Sequence, residues 1–99
     1  NIKSHILKLL YSFLTIFLYR ISNSDYSNAS ILCHSIKGLS GMLGLTTLHL
    51  HMKDAEYFFH ELAQQLEHAP DALIHAHKHV QKITHQLVID LGQVCETEF

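Results

Sequence analysis

Leu45, Leu48, Met52, Ala55, Phe59, Leu62 and Leu66 recur at alternating spacings of three and four. A strand repeats every two residues, so this stripe fits only one face of a helix. Leu73, Ala76, Val80, Ile83 and Leu87 repeat the same spacing further on. Breakers are scarce, with one proline and four glycines in the chain, so the helices can be long. The pattern predicts helices over about 4–21, 25–43, 45–68 and 70–91. Ser24 is the expected N-cap of the second helix, with Asp25 suiting the positive end of its dipole. Gly44 is expected to stop that helix, Pro70 to open the fourth at its first turn, and Gly92 to close it before a short frayed tail. The first helix is apolar on more than one face and is expected to be buried on two sides. Short connections force antiparallel neighbours, so the expected fold is all-α, an up-down four-helix bundle in a single domain over 1–99.

Composition decides what such a bundle can be. Hydrophobic residues make up 47% of the 99, enough for one modest core without metals or disulfides. The formal charge is -2 and no basic cluster interrupts the sequence, so non-specific nucleic-acid binding has no electrostatic footprint. Two cysteines far apart, Cys33 and Cys95, do not make a secreted disulfide framework, and a reducing, cytoplasmic setting is expected. The apolar stretch Ile6–Ile21 has its longest charge-free run at Leu9–Tyr19, short for a bilayer core of about 30 Å, so no membrane contact is expected. No small-residue cleavage site follows Arg20. A start at Asn1 rather than Met is expected of a piece of a longer polypeptide.

The second helix carries the chemistry. With His34 at zero and about 100° per residue, Ala29, Leu32, Ile36, Leu39 and Leu43 gather on the opposite side as a core stripe. His34 is then expected to face solvent, among Ser27, Ser30, Ile31, Lys37, Gly38 and Gly41. An interior helical glycine costs roughly 1 kcal/mol relative to alanine. Two of them, Gly38 and Gly41, on the histidine's side suggest a surface cleared for a partner. Lys37 lies one turn from His34, where its ammonium can neutralise an added anion. Imidazole is a covalent-catalysis nucleophile, and phosphoryl transfer is mostly positioning and charge stabilisation.

The segment Cys33-His34-Ser35-Ile36-Lys37-Gly38-Leu39-Ser40-Gly41-Met42-Leu43-Gly44 resembles the signature of histidine-phosphotransfer (HPt) domains. The family places a histidine before an apolar residue, Lys-Gly, a small residue and a later glycine. Asp25-Tyr26 stands where the family has its acidic-aromatic pair, and Leu48 and Glu56 where the next helix has its leucine and glutamate. Ala55 in place of leucine, Cys33 in place of alanine and the very apolar first helix are departures. The resemblance implies that His34 is a phosphoacceptor and Lys37 stabilises the phosphate. It implies that Gly38 gives clearance, Ser40 packs or hydrogen-bonds beneath the site, and Gly44 ends the helix. Ser30, Ile31, Gly38 and Gly41 would form the partner-docking surface. The partners implied are receiver domains of a hybrid sensor kinase or a response regulator. No cofactor is implied in this domain: it has no ATP site, and the Mg²⁺ belongs to the receiver.

Two other readings compete. One is a helical interaction scaffold without chemistry, against which the pairing of His34 with Lys37 argues. The other is a metal module, because His75 and His79 sit at i,i+4 and a turn near Ala69–Pro70 brings His60 towards His79. No Cys or carboxylate completes a tetrahedral set there, so solvated histidines are expected. A kinase dimerisation core fits less well, since Ser35 rather than an acidic residue follows His34.

Overall fold

The computed structural model describes residues 1–98. Four helices follow one another: α1 (Ile2–Ser22), α2 (Tyr26–Met42), α3 (Thr46–His68) and α4 (Ala72–Gln93). A π-helical turn, Val94–Glu98, extends α4. Contacts fix the directions. Along α2, Ser30, His34, Lys37 and Gly41 meet Glu56 and then His49 on α3, in reverse order. Along α3, His51 meets Asp90, and Phe58 meets His79, so α4 is reversed again. The bundle is 46 Å long and about 20 Å across, with α2 and α3 the most closely packed pair.

The helix ends follow local chemistry, with three corrections to the sequence reading. Asp25, not Ser24, caps α2, its Oδ1 accepting from Asn28 N at 3.3 Å. Ser24 takes a positive φ of 55° in the turn instead. Arg20, at the end of α1, donates to Asp25 Oδ2 at 3.2 Å and ties the turn to the cap. Pro70 precedes α4 rather than opening it; Asp71 stands at the N-cap and the helix starts at Ala72. Gly92 lies inside α4, and the expected frayed tail is helical through Glu98. Gly44 does end α2. At φ +73° it forms a Schellman motif, Leu45 N donating to Ser40 O and Gly44 N to Gly41 O, a conformation L side chains resist.

The predicted stripe of α3 is the core: Leu45, Leu48, Met52, Ala55, Phe59 and Leu62 are buried, and Leu66 packs against them. Phe59 is its centre, with Phe17 edge-on at 5.7 Å and Tyr26 stacked at 5.9 Å between ring centroids. Val80 and Leu87 from α4 close the core, with Leu73, Ala76 and Ile83 partly buried.

Two expectations about burial are overturned. α1 buries one face only, Leu10, Phe13 and Phe17, with Ile6 and Leu14 partly covered. Its other flanks expose Leu9, Tyr11, Ile16 and Leu18, and Tyr11 borders a gap between α1 and α4. By length and composition alone α1 is the one described helix that passes for a membrane span. In α2, Leu43 is exposed and Leu32 and Leu39 only partly buried. The buried residues are Tyr26, Ala29, Ser30, Cys33, Ile36 and Ser40, an arc roughly 100° round the helix from His34 rather than opposite it. Close approach to α3 selects small side chains there, and leucine positions do not mark that face.

Phe59→Ala is expected to cost about 3–5 kcal/mol in urea unfolding, since its ring is fully buried against aromatic rings of α1 and α2. Tyr57→Ala, at an exposed neighbouring position, should stay within about 0.5 kcal/mol.

Candidate functional site

His34 projects from the shoulder of α2 with its side chain 67% exposed. Glu56, on α3, reaches it: Oε2 lies 2.8 Å from His34 Nδ1. The other carboxylate oxygen, Oε1, lies 2.6 Å from Lys37 Nζ. One carboxylate therefore joins the two residues singled out from sequence. An ionised carboxylate only accepts hydrogen bonds, so Nδ1 must carry the proton. In the neutral imidazole the lone pair is then on Nε2, the nitrogen away from the protein.

Lys37 is not the free surface cation expected; its side chain is one-quarter exposed and already paired. Glu56's carboxyl is held below the usual glutamate range, first by the Lys37 hydrogen bond, against the opposing effect of burial, and then by His34. Glu56 is the site residue that residue-by-residue reading passed over. The resemblance had noted a glutamate at this position without a role, and helical spacing within α3 puts it on a flank of the stripe. Only its register against α2 gives it a function.

The proposed docking surface divides. Ile31 is exposed, and a Cβ on Gly38 would meet nothing within 4 Å. Ser30 is not part of an open face: it is buried, and its Oγ donates to Glu56 O at 3.1 Å. Gly41 is not clear either. A Cβ there would lie 3.2 Å from His49 Nδ1, on a ring that donates from Nδ1 to Lys37 O at 2.8 Å. Gly41 thus gives room to His49. Ser40 is buried beneath the site, its Oγ donating to Ile36 O. Cys33, beside His34 in sequence, points into the core; burial and then the Glu56 charge push its thiol up to about 12, so it is no nucleophile.

The remaining histidines are placed separately. His79 stacks on Phe58 at 4.4 Å, and His60 pairs with Gln64. His51 donates to the buried carboxylate of Asp90, which also accepts from Gln86 at 3.0 Å. Among the described residues, no three His, Cys, Asp or Glu side chains are grouped to hold a metal.

Two expectations follow. Gly38→Ala should raise stability by up to about 1 kcal/mol, the helical cost of glycine. Gly41→Ala should gain less or lose, because it displaces His49; equal gains in thermal unfolding would show that the ring yields freely. The second concerns pH. A carboxylate depressed in the folded state stabilises the fold above its unfolded pKa, and that contribution disappears as pH falls through the folded value. Glu56→Gln should therefore cost stability at neutral pH and progressively less on the acid side of the glutamate range. A deficit that stays constant with pH would mean that the Glu56 charge contributes nothing.

No protein-family model matches the chain, and no curated protein or solved structure matches it.

Proposed function

We propose that this chain is a histidine-phosphotransfer domain that carries a phosphoryl group on His34 Nε2 between receiver-domain aspartates. One observation carries the reading: an exposed imidazole whose Nδ1 is engaged by Glu56, with Lys37 on the same carboxylate. An isolated surface histidine has neither a set tautomer nor an adjacent cation.

The chemistry balances without a cofactor of its own. The Nε2 lone pair attacks the phosphorus of a receiver's phosphoaspartate. The Nε2–P bond forms as the P–O bond to the aspartate breaks, and the electron pair leaves with the regenerated carboxylate. Nδ1 keeps its proton, and Glu56 balances the charge that develops on the ring. Lys37, one turn along, offers its ammonium to the phosphoryl oxygens. Transfer to a second receiver is the same step reversed. Mg²⁺ belongs to the receiver in this scheme, and the setting is the cytoplasm, as a module of a hybrid sensor kinase or a separate relay protein. Gly38 and Ile31 border the approach to His34, Ser30 supports it from inside, and Gly41 makes room for His49.

The test is incubation with phosphorylated receiver domains and detection of acid-labile phosphate on the chain. His34→Gln should abolish acceptance with the fold intact, as expected at an exposed position. Lys37→Ala should slow transfer without removing the acceptor. Gly38→Gln should lower the rate at least about tenfold, equivalent to roughly 1.4 kcal/mol in barrier, while thermal stability holds or rises. Phosphate persisting on the His34→Gln protein would overturn the assignment. A stable, fully active Gly38→Gln protein would remove close approach as the reason for that glycine.

A further inference from the structure

The edge of α3 that faces His34 carries His49, Lys53, Glu56 and His60 at alternating spacings of four and three. Two of these side chains mark where α2 lies. His49 donates to Lys37 O beside Gly41, and Glu56 meets Ser30, His34 and Lys37. Lys53 stands between those two contacts, on the stretch of α3 that runs past His34 and Lys37. It is exposed, and with Ser30, Glu56, Tyr57 and His60 it lines a depression of about 370 Å³ beside the site.

Among the described residues Lys53 has no ion-pair partner. The reason is local. A carboxylate three residues on is the partner a helix offers a lysine, but both oxygens of Glu56 are engaged from α2. Asp54 turns to the opposite seam, where it lines a depression with His79 and Lys82 of α4. Lys37 and Lys53 are the only Lys or Arg residues of α2 and α3. The fixed positive charge of these two helices is thus gathered along one edge.

A phosphoryl group brings roughly two negative charges. On His34 it would meet Lys37, whose ammonium already lies 2.6 Å from Glu56 Oε1. Lys37 and Glu56 together sum to zero, and a protonated imidazole offsets one charge at most. We propose that Lys53 is the second phosphoryl-binding cation of the site, bringing its ammonium to the phosphoryl oxygens on His34 Nε2. The inference rests on the phosphotransfer reading and adds a residue to it. Lys53 and Glu56 have their Cβ atoms about 5–6 Å apart, as positions i and i+3 of a helix do. The lysine stem is flexible, and its ammonium has no partner to leave. The bonds made and broken are those of the transfer step above, and the ammonium keeps its proton throughout.

The test uses the whole chain and phosphoramidate, a donor that needs no docking surface. His34 Nε2 attacks the phosphorus, the P–N bond breaks, and the protonated nitrogen leaves as ammonia with the bonding pair. Mass spectrometry of alkaline digests reads the initial rate of phosphorylation at His34. Lys53→Gln should lower that rate at least about threefold and Lys53→Glu at least about tenfold, while Lys53→Arg stays within about twofold of the parent chain. The loss should shrink at high salt, because exposed charges are screened. Lys78→Glu, the same charge change on α4, should leave the rate unchanged. Lys53 and Lys78 are both exposed, so helical circular dichroism should be the same for every variant. Equal rates for Lys53→Glu and the parent chain would overturn the proposal and leave His34 as the acceptor. An equal loss from Lys78→Glu would also overturn it, as an effect of net charge. So would a Lys53→Gln loss seen with phosphorylated receiver domains and not with phosphoramidate, which would place the residue in docking. A parent chain that takes no phosphate on His34 from either donor would remove the phosphotransfer reading, and this role of Lys53 with it.

Discussion

Glu56 is met from α2 by three groups. Ser30 Oγ donates to its carbonyl, while His34 and Lys37 engage its two carboxylate oxygens. This arrangement needs the backbones of α2 and α3 to lie close together. Ala29, Ser30, Cys33 and Ser40 supply the thin interface, and the Schellman turn at Gly44 returns the chain in the register that sets Glu56 opposite His34. Thicker side chains on that arc would move the carboxylate out of reach. The imidazole would then lose the partner that sets its tautomer, and the lysine its anchor.

The same packing explains why the site is polar yet ordered. A lysine left free on a helix is a mobile charge with several rotamers to freeze. Lys37 is held by a short ion pair that is only partly exposed to solvent, and the Glu56 charge is retained because both neighbours donate to it. His34 itself remains largely exposed, so the ordering comes from below and leaves the outer nitrogen accessible. Rigid support under an accessible group is what the proposed transfer would require.

The bundle is asymmetric in a way that follows from these contacts. α3 is central, touching α2 closely and α4 through the aromatic and His51–Asp90 contacts, while α1 attaches mainly through Leu10, Phe13 and Phe17. α4 does not close over the flank of α1 that carries Tyr11. The result is a molecule with a polar, carboxylate-ordered face on one side and a mostly apolar groove on the other.

The amino-acid order by itself determined the helices, because three-four spacing and scarce breakers admit no other regular structure. It fixed the core face of α3, where large apolar residues mark the buried positions directly, and the stop at Gly44, where a positive φ favours glycine. It also singled out His34, Lys37 and Gly38 through one helical turn of local geometry. Tertiary structure alone decided the rest. Ser30, Cys33 and Ser40 are small and not strongly apolar, so their burial depends on what approaches them, and Leu43 is exposed for the same reason. Gly41 looked like cleared surface until His49, eight residues on and across a turn, filled the space beside it. Glu56 lies twenty-two residues from His34. Periodicity along one helix carries no information about the register between two, and that register is what made a carboxylate, an imidazole and an ammonium into a site.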